Sequence, residues 1–194
     1  MKLLRTSALA ASLVATLSCS SIPMAEPKLS GSYGSLLKSV TRRDAIYQGL
    51  ETRLFLHAVR MTPELVRAQA EMLSSMRSET PALAAERLTR MQADAALPTI
   101  FAITYMPELA WNDWDSKNSV WRIAIEGCPS GDAAPIKVER FDPPFNAEMY
   151  SLYPYLDEYS SAYRLQFPAE ANCAHPGLLI SGALGRTELK WDGE

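Results

Sequence analysis

The chain has no excess of positive charge: 19 Lys and Arg stand against 22 Asp and Glu, a formal net of −3. A body without a basic surplus lacks the electrostatic footprint that nucleic acid requires, and it gains nothing from anionic lipid head groups. Histidine is scarce, with only His57 and His175. There is no G-x-S-x-G, no H-E-x-x-H and no C-x-x-C. The common signatures of a serine nucleophile, a zinc protease and a redox dithiol are therefore missing. Ser35-Leu36-Leu37-Lys38 matches S-x-x-K, but the companion S-D-N and K-T-G are absent, and so short a match arises often by chance. Beyond the first residues, no stretch reaches the roughly 18 uncharged apolar residues of a membrane-spanning helix. The expectation is a chain with no catalytic residues, no cofactor, no metal and no nucleic-acid partner.

What is present is an ordinary globular composition, 47% hydrophobic and 21% charged over 194 residues, enough for one domain behind a leader. The leader is distinct. Lys2 and Arg5 form a short positive region, and Thr6 to Leu17 carries no charge. That pattern suits a secretory signal and is too short to span a bilayer.

Thr16-Leu17-Ser18-Cys19 then resembles the lipobox of bacterial lipoproteins, in which a small residue precedes an invariant cysteine. Ser18 and Cys19 match, while Thr16 stands where leucine is usual. The resemblance implies that residues 1–18 are a signal peptide and that Cys19 is lipidated. Each buried methylene contributes about 0.8 kcal/mol, so two or three acyl chains hold a soluble domain on a membrane where one would not. Ser20 follows the cysteine, where aspartate would retain such a lipoprotein in the inner membrane. The implied address is the outer membrane, facing the periplasm, with the membrane as partner through Cys19. Loss of Lys2 and Arg5 would take the net charge from −3 to −5.

If Cys19 carries lipid, Cys128 and Cys173 remain, both in turn-like surroundings. An even pair in an oxidising compartment suggests a disulfide closing a loop of about 46 residues, worth about 4 kcal/mol by chain entropy. Two unpaired thiols or a metal pair stay open as alternatives.

Residues 19–35 read as the lipidated cysteine and a flexible tether, with Pro23, Pro27, Gly31 and Gly34 among serines. Residues 36–194 read as one globular domain. Thr52 to Met61 is rich in strand formers. Thr62-Pro63-Glu64 and Thr80-Pro81 are helix starts, combining a capping hydroxyl with proline in the first turn. Leu65, Ala68, Met72 and Met76 form one helical stripe, and Ala84, Leu88, Met91 and Ala95 another. The spacing predicts a helical hairpin over about 62–96. After Pro98 the texture changes to short alternating strands: Thr99–Tyr105, the run around Trp121–Ile125, Ile136–Glu139, Tyr163–Phe167, Leu178–Ser181 and Thr187–Trp191. The predicted fold is mainly β, an antiparallel β-sandwich with the hairpin inserted between its first two strands and its methionine stripe on the sheet.

Two segments offer candidate binding residues. Trp111-Asn112-Asp113-Trp114-Asp115-Ser116-Lys117-Asn118 gathers oxygen donors, but Lys117 occupies a place where a calcium loop needs an oxygen, and the bland reading is an inter-strand loop with turn hydrogen bonds. Tyr150, Tyr153, Tyr155, Tyr159 and Tyr163 crowd one stretch. Exposed there, Tyr153, Tyr155 and Tyr159, with Trp111 and Trp114, would make a surface for sugar, peptide or lipid; packed inside, they are core. His57 reads as a strand residue and His175 as a loop residue beside Cys173.

The body also resembles small bacterial lipoproteins of unassigned activity through Thr41-Arg42, Trp111-Asn112-Asp113, Trp121-Arg122 and Leu189-Lys190-Trp191. That resemblance implies no activity. The functional expectation is a membrane-anchored envelope protein with a structural or protein-interaction role; the alternative is a periplasmic binding module using exposed aromatics.

Overall fold

The computed structural model describes residues 31–191. Cys19 and the rest of the expected leader lie outside the described residues. Within them, α1 (Gly31–Val40) occupies the last residues assigned to the tether. Its Leu37 is fully buried, and the Tyr33 hydroxyl donates to the Leu152 carbonyl at 2.6 Å. Residues 31–35 are thus part of a helix packed on the body, where a flexible tether was expected. Gly31, Ser32, Gly34 and Ser35 hide this helix from a reading by propensity; burial of Leu37 and the Tyr33 bond hold it.

Strands β1 (Thr41–Gln48), β2 (Glu51–Arg60), β3 (Thr99–Tyr105), β4 (Trp121–Glu126), β5 (Lys137–Phe141), β6 (Ser161–Gln166), β7 (Gly177–Gly182) and β8 (Gly185–Lys190) form two sheets. One runs β1-β2-β3-β6-β5 and the other β4-β7-β8, with every neighbouring pair antiparallel. The mainly-β expectation with helices holds. The hairpin of α2 (Pro63–Met76) and α3 (Pro81–Asp94) enters between the second and third strands rather than the first and second, because β1 precedes them. β1 is an edge strand with one fully buried side chain, Ile46, so it carries no alternation to read.

Alternate residues of the large sheet serve two cores. Leu54, Leu56, Ile100, Ala102, Tyr163 and Leu165 face the small sheet and meet Ile123, Ile125, Leu178, Ile180 and Leu189. On the other face, Val59, Phe101, Ile103 and Ala162 meet Leu37 of α1, Leu65 and Leu73 of α2, and Leu152 of α4 (Ala147–Leu152). β3 is buried on both faces, which is why Thr99–Tyr105 reads as an unbroken apolar run.

Both threonine-proline starts behave as expected: Thr62 and Thr80 accept from the amides of Leu65 and Leu83, with proline in the first turn. The buried face of α2 differs from the expected stripe. It is Leu65, Val66, Gln69, Ala70, Leu73 and Ser74, while Met76 is exposed. Gln69 can sit in the core because its amide donates to the Tyr153 hydroxyl at 3.1 Å and to the Tyr33 hydroxyl at 3.4 Å. α3 has no fully buried residue; its stripe of Ala84, Leu88, Met91 and Ala95 is half-buried, and the helix backs onto α2.

Candidate functional site

Cys128 and Cys173 are joined as a disulfide, with Cα atoms 5.6 Å apart and a separation of 45 positions in sequence. The bond fastens the turn after β4 to the loop before β7. It also removes the thiolate that a metal pair with the exposed His175 would have needed.

The Trp111–Asn118 loop is held by its own hydrogen bonds. The Asp113 carboxylate accepts from the Ser119 hydroxyl at 2.8 Å and from the Val120 amide at 3.0 Å. Asn112 is buried at the centre of a polar network. Its side-chain oxygen accepts from the Tyr163 hydroxyl at 2.9 Å and the Thr104 hydroxyl at 3.2 Å, and its amide donates to the Ser161 hydroxyl at 2.5 Å. Ser161 in turn donates to Asp142 at 3.0 Å, and Arg140 donates to the Asn112 carbonyl at 2.6 Å. Burial pushes the Tyr163 hydroxyl well above its ordinary range. Each polar group here is satisfied by another, so the network ties the loop to β3 and β6 and presents no free acid or base.

The aromatic candidates divide. Tyr153 is in the core, stacked on Phe101 at 4.1 Å, with its hydroxyl pushed up to about 12 by burial against the opposing Gln69 hydrogen bond. Trp114 is also buried, stacked on Tyr163 at 5.0 Å. Neither is an exposed binding residue; both fill the body because each covers a large apolar area that a loop would otherwise leave wet. Tyr155 is half-buried and stacked on His57 at 4.6 Å. Trp111 is half-buried under the Arg53 guanidinium, 4.9 Å from its ring centre. Tyr159 is exposed.

A surface that sequence reading missed lies beside them. Tyr47, Phe55 and Tyr105 come from β1, β2 and β3, and the pairing brings them side by side: Phe55 lies opposite Tyr105, and Tyr47 opposite Thr52 after a bulge that leaves Arg53 unpaired. Ring centres are 5.8 Å apart for Tyr47–Phe55, edge to face, and 6.1 Å apart for Phe55–Tyr105, tilted by 32°. On β2, His57 follows Phe55 on the same face, and Tyr155 covers it. Beyond that cover Phe55 is half-buried and Tyr105 exposed.

Register places three chain reversals at this same end. The β1–β2 turn holds Leu50, the chain after Tyr105 holds Leu109, and Ser161 opposite Thr104 brings Tyr159 close by. Exposures are 58% for Tyr47, 103% for Leu50, 37% for Tyr105, 77% for Leu109 and 69% for Tyr159. These are five of the ten large apolar side chains exposed among the described residues, gathered at one end of one sheet. An open cleft of about 510 Å³ adjoins the row at Tyr47, between Ala45–Gln48 of β1 and the β7–β8 turn at Ala183–Arg186.

No protein-family model, curated protein or solved structure matches the chain. Chemistry of the site itself must then carry the functional reading. The polar network around Asn112 is internally bonded in a structural role, whereas Tyr47, Leu50, Tyr105, Leu109 and Tyr159 are exposed among the described residues. Such a surface can bind.

Proposed function

We propose that the chain is a binding module of the bacterial cell envelope, held to the membrane by lipid on Cys19, which captures a protein partner on the aromatic end of its large sheet. The observation that carries the contact surface is the run of rings Tyr47–Phe55–Tyr105, with exposed Leu50, Leu109 and Tyr159 on the chain segments that flank the same strand ends. Contiguous exposed apolar area is costly in water and marks an interaction site when it is this concentrated. Tyrosine suits the task because it brings a large rigid surface with few torsions to freeze. The lipobox-like residues Thr16–Cys19 support the anchor, Ser20 supports the outer membrane, and the Cys128–Cys173 bond supports an oxidising compartment.

Two measurements test this. A photo-crosslinking residue is placed at position 47 or 105, and at exposed Leu83 on α3 as control, in cells making the chain. Discrete adducts at 47 and 105 but not at 83 are expected. No adduct, or the same adducts at 83, overturns the contact surface. Mass spectrometry of the native chain should show a processed terminus at acylated Cys19; an unmodified residue there overturns the anchor.

A further inference from the structure

We infer that the partner segment bound at the aromatic end is polypeptide that presents aliphatic side chains flanked by lysine or arginine. This rests on the contact surface proposed above and adds the chemistry of its occupant.

The apolar side chains at this end are bordered by acids. Glu51 is in the β1–β2 hairpin, Glu108 sits between Tyr105 and Leu109, and Asp157 and Glu158 immediately precede Tyr159. Of the hairpin's four arginines, Arg53 pairs with Glu51 at 2.9 Å, donates to Gln48 at 2.7 Å and lies over Trp111, Arg42 and Arg60 donate to the Lys190 and Cys173 carbonyls, and Arg43 lies opposite His57, farther along β1 from the turn. Asp157 is occupied by the Ser160 hydroxyl at 2.6 Å and the Tyr159 amide at 2.9 Å. Glu108 and Glu158 are exposed and have no ion-pair partner among the described residues. An apolar centre with uncompensated acids on its rim is complementary to an apolar segment with cations beside it.

The same features count against other occupants. An anionic bilayer would be repelled by the rim. A second copy docking isologously would bring Glu108 and Glu158 towards their own equivalents, a like-charge contact. A sugar stacks on a flat aromatic face, whereas Tyr47 and Phe55 are at 86° to each other and Phe55 and Tyr105 at 32°. Rings set at angles leave grooves between them, which suit branched aliphatic side chains. Polypeptide also has a second foothold, because β1 is a sheet edge and its Ala45–Gln48 segment lines the cleft beside Tyr47. Arg186, also in that cleft, is drawn towards Glu126 at 3.9 Å.

The test is fluorescence anisotropy of a short labelled peptide alternating leucine and lysine, titrated with the native full chain in neutral phosphatidylcholine nanodiscs, with empty nanodiscs as blank. Binding is expected, weakening with added salt. Glu108→Lys/Glu158→Lys should weaken it at least about tenfold, and Tyr47→Ala/Tyr105→Ala should abolish it. Glu71→Lys/Asp94→Lys, exposed acids on α2 and α3, should leave it unchanged. Equal binding of a leucine–glutamate peptide, or indifference to the Glu108/Glu158 reversal, overturns the inference. Tyr47/Tyr105-dependent binding of cellohexaose or of phosphatidylglycerol vesicles in preference to the peptide overturns it too, and leaves the aromatic contact surface standing. Absence of peptide binding while crosslinks at 47 and 105 persist removes the inference alone; absence of both removes the contact surface as well.

Discussion

Replacing Asn112 with alanine should destabilise the fold by about 3 kcal/mol. The figure follows from counting what each partner keeps. Tyr163 loses the acceptor for its buried hydroxyl, and a buried donor left without a partner costs roughly 1–3 kcal/mol. Thr104 loses one bond but still donates to the Ser161 carbonyl at 3.2 Å, and Ser161 still donates to Asp142. Each of those two losses costs about 0.5–1 kcal/mol. Tyr163→Phe alone should cost about 1 kcal/mol, since Asn112 retains Thr104. The double substitution should cost about 2 kcal/mol, less than Asn112→Ala alone, because phenylalanine has no hydroxyl to orphan. Urea unfolding followed by tryptophan fluorescence is the assay, with Trp114 stacked on Tyr163 as reporter. At a slope of about 2 kcal/mol per molar, Asn112→Ala should lower the midpoint by about 1.5 M with the slope unchanged. Additive single costs, or an Asn112→Ala loss below about 0.5 kcal/mol, would refute the account of this loop as a buried polar pin.

Removing the disulfide by Cys128→Ser/Cys173→Ser should cost about 4 kcal/mol by chain entropy over its loop, read from denaturant midpoints; a change within about 0.5 kcal/mol would show that the bond constrains nothing. Tyr153→Ala should cost about 4 kcal/mol as a core truncation, while exposed Tyr159→Ala should stay within about 0.5 kcal/mol; equal melting losses would contradict their opposite placement. Glu79, at the α2–α3 turn, is held down to about 2 chiefly by its hydrogen bond from Arg87. A depressed carboxyl stabilises above its unfolded value and loses that contribution as pH falls through its folded one. Melting temperature should therefore fall from pH 4.5 towards 2, and Arg87→Gln should flatten that part of the profile.

Much of the architecture was legible because burial on one face leaves a period in the sequence. β4, β5 and β6 alternate in sequence, β2 is rich in strand formers, β3 is continuously apolar because both its faces are covered, and the two threonine-proline starts mark α2 and α3. β1 and α1 were not legible. One is an edge with a single buried residue, and the other is built of glycine and serine and held by contacts from α2 and α4. The α2 face was misread because Gln69 looks like a surface residue until Tyr33 and Tyr153 are placed beside it. The contact surface shows the deeper limit. Local crowding drew attention to the tyrosines around residue 155, and crowding there comes mostly from packing. Tyr47, Phe55 and Tyr105 are isolated in sequence and meet only through strand pairing, which no local pattern encodes.

The Trp191 indole donates to the Val40 carbonyl at 2.7 Å, and the Arg42 guanidinium donates to the Lys190 carbonyl at 2.9 Å, so the last strand clasps the junction where α1 becomes β1. Trp191 thus lies beside the junction of α1 and β1, at the opposite end of β1 from the β1–β2 turn, about 25 Å away along eight residues of strand. Tension on the chain at Gly31 would meet the α1 contacts of Tyr33 and Leu37 first and this clasp next, before it reached β1. The clasp keeps Tyr47 at the far end of β1 from the point where α1 and the last strand meet, like a hook below its cord.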